Sequence, residues 1–122
     1  MTRYLVATAS ARTTTAACEY LKSRLGAGDQ VYVLTVDVPS ETDDRDAALD
    51  VAQVELTGVT EVRTFRRSGV PAREIVSFVR EHDVDEIIMG PARTSGASTI
   101  GSTTRAVLNR IDRPVFIVPG SR

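Results

Sequence analysis

The chain has 122 residues, of which 42% are hydrophobic, which is enough for one compact core and too few for two. Its formal net charge is -1, from 15 basic and 16 acidic residues, so it has no overall positive field to attract nucleic acid or an anionic membrane. We therefore expect a single domain over residues 1–122, with 120–122 as a tail, and neither a nucleic-acid nor a membrane partner.

The cysteine content and the apolar runs bear on the cellular compartment. The single cysteine, Cys18, excludes an internal disulfide, and its small apolar neighbours favour a buried, unreactive thiol. The apolar run at residues 4–9 is too short for the core of a signal peptide, and no span of about 20 apolar residues occurs. A soluble, cytoplasmic protein is expected.

The first half of the chain reads as two strands and two helices. Residues 4–9 and 30–38 are apolar runs without a helical period, typical of strands buried on both faces. Ser10 to Thr13 is interpreted as a turn. Apolar residues four apart predict a helix over 14–25, which ends before Gly26. The acidic stretch at residues 40–46 is expected to start a weaker helix that continues over 47–56.

The second half continues the alternation. Residues 61–67 predict an edge strand protected by its arginines, with an anion-binding patch at Arg66 and Arg67 as the alternative. Pro71 opens a strongly amphipathic helix. Residues 84–89 and 115–118 predict strands, and a helix over 102–111 separates them.

Two titratable residues were considered as catalytic groups. His82 is expected to face solvent near the negative pole of its helix, and a catalytic base is not expected because no nucleophile accompanies it. Asp37 ends the second strand, and a structural or solvent-facing role is expected because no second metal ligand lies beside it.

The order of elements predicts an α/β fold. Strands that alternate with helices form a doubly wound, Rossmann-like, five-stranded and mostly parallel sheet with helices on both faces. With the first strand central, the strand order is 3-2-1-4-5. Such sheets bind ligands where the winding reverses, here between Ala9 and Ser10 on one side and Gly90 and Pro91 on the other.

The loop after the fourth strand has the features of an anion site. Gly90 opens a segment of Gly, Ser and Thr that contains Arg93 and leads into the fourth helix. Unpaired amides at a helix N-terminus attract anions, and an arginine adds a planar fork of donors. The alternative is that the loop only connects two elements, because isolated glycine motifs are weak signals.

The sequence resembles the universal stress protein family over nearly its whole length. The resemblance is carried by the segments RYLVAT, SGVPAREIVSFVREHDVDEIIMG and GSTTRAVLNRIDRPVFIVP. It implies a doubly wound homodimer, and in many members ATP bound through a G-x-x-G, nine residues, G-[ST] loop. By this resemblance Gly90 corresponds to the first glycine, and Gly101 with Ser102 corresponds to the closing pair.

The chain departs from this pattern in three ways. Arg93 stands at the second glycine, seven residues instead of nine separate it from Gly101, and Ala9 replaces an acidic residue after the first strand. Loss of that carboxylate removes an acceptor for ribose or adenine donors, whereas a phosphate can still bind. The expected ligand is ATP or AMP, with Mg²⁺ if ATP, or a phosphate-type anion. The candidate binding residues are Gly90, Arg93, Gly101, Ser102, Thr103 and Ser10.

Other functional classes were weighed against this one. One alternative is a family member that binds no nucleotide and acts through a homodimer contact of Val115, Phe116, Ile117 and Val118. An enzyme is not expected beyond slow ATP hydrolysis, since no Walker-type loop or nucleophile elbow occurs. A receiver domain is set aside because its acidic positions hold Ala9 and Ser10, then Arg66 and Arg67.

Overall fold

The computed structural model describes residues 1–37, 45–90 and 102–118, in which strands and helices alternate along the chain. The strands are β1 (Arg3–Ala7), β2 (Gln30–Asp37), β3 (Val62–Ser68), β4 (Glu86–Met89) and β5 (Val115–Ile117). The helices are α1 (Ala11–Lys22), α2 (Arg45–Glu55), α3 (Pro71–His82) and α4 (Ser102–Leu108). In these ranges no helix combines the length and the apolar character needed to cross a membrane.

The sheet has the strand order β3-β2-β1-β4-β5, as predicted. Every pairing between these strands is parallel, and β1 lies at the centre, with Ala7 opposite Leu34 of β2 and Met89 of β4. The chain winds from β1 outward to β3, then crosses back to β4 and β5. The predicted fold class is therefore confirmed, and the winding reverses between β1 and β4.

The core lies in two layers, one on each face of the sheet. Successive residues of β1 enter them in turn: Leu5 and Ala7 pack with α3 and α4, whereas Tyr4 and Val6 pack with α1 and α2. Cys18 is fully buried in the second layer, and burial raises the pKa of its thiol from 9.0 to about 11. The expected buried thiol is therefore found.

Several helix boundaries differ from the prediction by up to three residues, including both ends of α1, which ends at Lys22 instead of residue 25. α1 begins at Ala11 instead of residue 14, because Ser10 is not part of a turn but the N-cap, whose side chain accepts a hydrogen bond from the Thr13 amide. α4 ends at Leu108, before the predicted residue 111. The chain closes there with a tighter turn in which the Arg110 amide donates to the Val107 carbonyl at 3.0 Å.

The edge strand β3 carries arginines that are neutralised by carboxylates. Arg66 donates to Asp37 at 3.0 Å and also contacts Asp46. Arg67 donates to Glu81 at 2.6 Å, which lowers the pKa of that carboxyl group. These pairs favour edge protection over the alternative of an anion patch, because the guanidinium groups already have anionic partners.

His82 is not solvent-facing as predicted, although its Nδ1 lies 3.2 Å from the Phe78 carbonyl near the negative end of α3, as expected. Its ring is partly buried and stacks on Phe78 with a centroid distance of 3.9 Å. Tyr32 and Phe65 complete an aromatic group around it, at 5.2 and 5.4 Å. Residues 78 and 82 are four apart on α3, so the helix itself brings the two rings together.

Candidate ligand crevice between the first and fourth strands

The winding of the sheet reverses at the carboxyl ends of β1 and β4, which is where a doubly wound fold forms its ligand crevice. On one side the chain leaves β1 through Thr8 and Ser10 into α1, and on the other it leaves β4 at Gly90. We refer to residues 8–13 together with Gly90 as the crevice. Doubly wound sheets bind their ligands at this position.

Hydroxyl groups fix the turn from β1 into α1. The Thr8 hydroxyl donates to the Ser10 carbonyl at 3.0 Å, and the Thr14 hydroxyl lies 3.0 Å from Thr8 Oγ1 and 3.1 Å from the Ser10 carbonyl. Thr8 and Thr14 are buried, so these bonds satisfy polar groups that water does not reach. The backbone at the entrance to α1 is therefore held rigidly.

Ser10 is committed to capping α1. Its Oγ accepts the Thr13 amide at 3.1 Å and donates to Thr13 Oγ1 at 3.2 Å. In the described part of the chain, no group accepts the Thr13 hydroxyl proton. Ser10 therefore positions a neighbouring donor, and Thr13 offers that donor to the crevice.

Gly90 packs against Thr13 with no room for a larger side chain. A Cβ added at position 90 would lie 2.8 Å from Thr13 Oγ1 and 2.9 Å from its Cγ2. The backbone of Gly90 is not in the left-handed region, so glycine is required here for space and not for its conformation. The Thr13 side chain therefore packs directly against Gly90, between the start of α1 and the end of β4.

The electrostatics of the crevice favour an anion. The first turn of the twelve-residue helix α1 contains no acidic residue, and Ala9 precedes its N-cap. A helix N-terminus carries partial positive charge, which a carboxylate in the first turn would offset. The exposed Arg12 lies in the same turn. The positive pole of α1 is thus not neutralised by its own first turn.

The predicted site residues fall into three groups. Ser10 and Gly90 lie on opposite sides of the crevice, with Thr13 against Gly90. Ser102 is exposed and Thr103 is partly buried at the start of α4, which follows the crevice strand β4. The other two, Arg93 and Gly101, lie outside the described residues.

Thr13 was missed as a site residue in the sequence. Its position three residues after Ser10 was a usable signal, since an N-cap serine bonds to the amide of the third residue that follows it. The contact with Gly90 left no such signal, because it depends on the pairing of β1 with β4.

Asp37 has the structural role expected of it. Its carboxylate accepts two hydrogen bonds from Arg66 Nε, at 3.0 and 3.1 Å. Among the described residues, no group of three or more His, Cys, Asp or Glu side chains is arranged to hold a metal ion.

The last strand presents only part of the predicted dimer surface. β5 pairs with β4 alone among the described strands and is a sheet edge, and Phe116 is 37% exposed. One face of the Phe116 ring stacks on Tyr20 at 3.9 Å. The expectation that Val118 contributes is wrong, because this residue is 1% exposed and packs in the core with α1 and α2.

The sequence and the fold were compared with known proteins. A family model for the universal stress protein family matches residues 1–119. The solved structure of the hypothetical protein MJ0577 has a TM-score of 0.80 at 20% identity, with coverage of 99% of this chain and 97% of that chain. A universal stress protein in complex with cAMP has a TM-score of 0.72 at 23% identity, with 98% of both chains covered.

A plant structure shares the same fold. A universal stress protein family protein from Arabidopsis thaliana, solved with AMP bound, has a TM-score of 0.68 at 15% identity, with coverage of 97% of this chain and 91% of that chain.

Proposed function

The chain belongs to the universal stress protein family, and we propose that it is a stress-response binding or regulatory module whose crevice takes a phosphate-type anion. The anion is either free or the phosphate of AMP or ATP, with Mg²⁺ accompanying ATP. The proposed ligand contacts are Gly90, Arg93, Gly101, Ser102, Thr103 and Ser10, to which we add the hydroxyl of Thr13.

The proposal rests on one observation. The N-terminal, positively polarised end of α1 lies at the crevice, and its first turn contains no carboxylate. Backbone amides and hydroxyl donors at a helix N-terminus are a recurrent anion site in proteins. The Thr13 hydroxyl, whose proton has no acceptor among the described residues, adds a donor to the same place. Two relatives of the same fold, solved with cAMP and with AMP, support an adenine nucleotide as the carrier of the phosphate.

Ala9, in place of the acidic residue of the family pattern, determines whether the phosphate or the adenosine part of a nucleotide binds more tightly. A carboxylate there would accept hydrogen bonds from a ribose or adenine, and each such bond to a charged group contributes about 1.5–3 kcal/mol. The same carboxylate would repel a phosphate and offset the pole of α1. We therefore expect the phosphate to contribute most of the affinity, and adenosine alone to bind weakly.

Isothermal titration calorimetry with ATP, AMP, adenosine and inorganic phosphate tests this order. The expected result is heat with the three phosphate-bearing ligands and little with adenosine. Ala9→Asp should weaken phosphate and strengthen adenosine, whereas Arg93→Ala should weaken every anion. No heat with any phosphate-bearing ligand up to millimolar concentration would end the proposal.

A second candidate function rests on the edge strand β5. Its outer ladder is unpaired among the described strands, and exposed edges favour pairing with another strand. In this reading the protein acts through a homodimer contact centred on Phe116 and binds no nucleotide. Light scattering after size exclusion should give a dimer that Phe116→Asp converts to a monomer; a wild-type monomer at micromolar concentration would count against it.

A further inference from the structure

A second concave site lies at the end of the sheet opposite to the crevice. It is a cavity of about 280 Å³ between the end of α3 and the turn that leads from α4 into β5. Both segments enter the sheet at the amino ends of their strands, so the cavity and the crevice are at opposite edges. Its lining consists of Val79, Arg80, Asp83, Arg110, Ile111, Asp112 and Arg113.

Arg113 is the fixed cation of this cavity. Its Nε donates to the Val84 carbonyl at 3.0 Å, one terminal nitrogen donates to Asp112 at 2.9 Å, and the other lies 3.9 Å from Asp83. The two aspartate side chains are 94% and 80% exposed, so water screens their charges. The arrangement holds a planar guanidinium group in place at the wall.

The other two arginines retain unused charge. Arg80 donates to the backbone carbonyl of Arg110 at 3.2 Å, and neither residue forms an ion pair with a carboxylate in the described ranges. Arginines near helix C-termini commonly neutralise the terminal carbonyls, and this accounts for the bonds of Arg80 and Arg113. It does not account for Arg110, whose guanidinium group has no such bond among the described residues.

We propose that this cavity binds a small phosphate monoester or free phosphate, held by Arg80 and Arg110 and oriented by Arg113. Three guanidinium groups against two well-solvated carboxylates give the side chains of the lining a formal charge of +1, which the partial negative charges at the C-terminal ends of α3 and α4 oppose. Guanidinium forks match the oxygens of a phosphate in pairs. Val79 and Ile111 line the same space, and the volume leaves room for a short carbon chain beside the phosphate.

Amide resonances in two-dimensional ¹⁵N NMR distinguish this site from the crevice. Titration with inorganic phosphate, and separately with glycerol 3-phosphate, should shift the amides of Val84 and Ile111 at the cavity independently of those of Ser10 and Gly90. Tighter binding of glycerol 3-phosphate identifies the monoester as the ligand class, and equal binding identifies free phosphate. Shifts confined to the crevice amides would overturn the proposal.

Substitutions of single arginines distinguish specific phosphate binding at the cavity from a general effect of ionic strength. Arg110→Gln and Arg80→Gln should each weaken phosphate at the cavity about tenfold or more, because each removes charge-assisted hydrogen bonds. Arg110→Lys keeps the charge without the fork and should lose less. Arg105→Gln is the matched control, since this exposed arginine of α4 does not line the cavity. Equal weakening by the control, or equal shifts with chloride at the same ionic strength, would refute a phosphate site.

Discussion

Replacement of Gly90 by alanine tests whether Thr13 packs directly against Gly90. The new methyl group would lie 2.8 Å from Thr13 Oγ1 and 2.9 Å from Cγ2, so one of the two segments has to move. Thr13 cannot turn away freely, because its side chain is β-branched and its hydroxyl accepts a bond from Ser10 at 3.2 Å. Overpacking of this kind costs about 1–3 kcal/mol, and we expect Gly90→Ala to lower the free energy of unfolding by that amount.

Urea denaturation of a double-mutant cycle measures the contact itself. Thr13→Ala removes both crowding atoms, so Gly90→Ala should cost less than about 0.5 kcal/mol in that background, within the scatter expected of uncoupled sites. Gly26→Ala is the control, because its added methyl group would approach nothing closer than 3.8 Å. An equal cost of Gly90→Ala with and without Thr13 would refute the reasoning, since the strain would then come from elsewhere.

Three further changes probe the hydroxyl groups and the thiol. Ser10→Ala should lower the free energy of unfolding by about 0.5–2 kcal/mol through loss of the N-cap, with Ser10→Asp restoring it in thermal denaturation. Thr35 has a buried hydroxyl without a hydrogen-bond partner among the described residues, so Thr35→Val should stabilise the fold by about 1 kcal/mol. Thr14→Val should destabilise it by about 1–3 kcal/mol, because the Thr14 hydroxyl is hydrogen-bonded. A cost for Thr35→Val in urea would contradict this. Burial raises the pKa of Cys18 to about 11, so its stabilising contribution is present below pH 9 and is lost as the pH rises towards 11. At pH 8 a disulfide reagent should label Cys18 only after unfolding, and rapid labelling of the native protein would contradict the buried position.

The fold could be predicted because its main signals are local and repeated. Uninterrupted apolar strands separated by helices allow few arrangements, and each strand of this sheet is parallel to its neighbours. The predictions that differ from the structure concern single residues whose neighbouring sequence is compatible with two local structures. The polar residues at the start of α1 predict a turn at Ser10, although a serine before a helix is also a favourable N-cap. His82 was assigned to solvent from its charged neighbours in sequence, but its ring contacts Phe78 on the same helix.

The candidate site could be predicted in outline and not in detail. The carboxyl ends of β1 and β4 follow from the topology, so Ser10 and Gly90 were expected on opposite sides of one crevice. The contact of Thr13 with Gly90 depends on how closely α1 packs on β4, which no periodicity in the sequence reveals. The same holds for Val118, whose burial follows from the depth at which the chain re-enters the core after β5.

Helix α1 joins the two surfaces on which the proposed functions depend. Its first turn borders Gly90 through Thr13, and about 10 Å further along the helix Tyr20 places its ring flat on Phe116 of the edge strand β5. A hydrogen-bonded helix of this length moves as one body. If a bound ligand displaces the first turn of α1 and thereby the Tyr20 ring, thermodynamic linkage requires that a subunit bound at Phe116 change the ligand affinity by the same factor by which the ligand changes the affinity for that subunit.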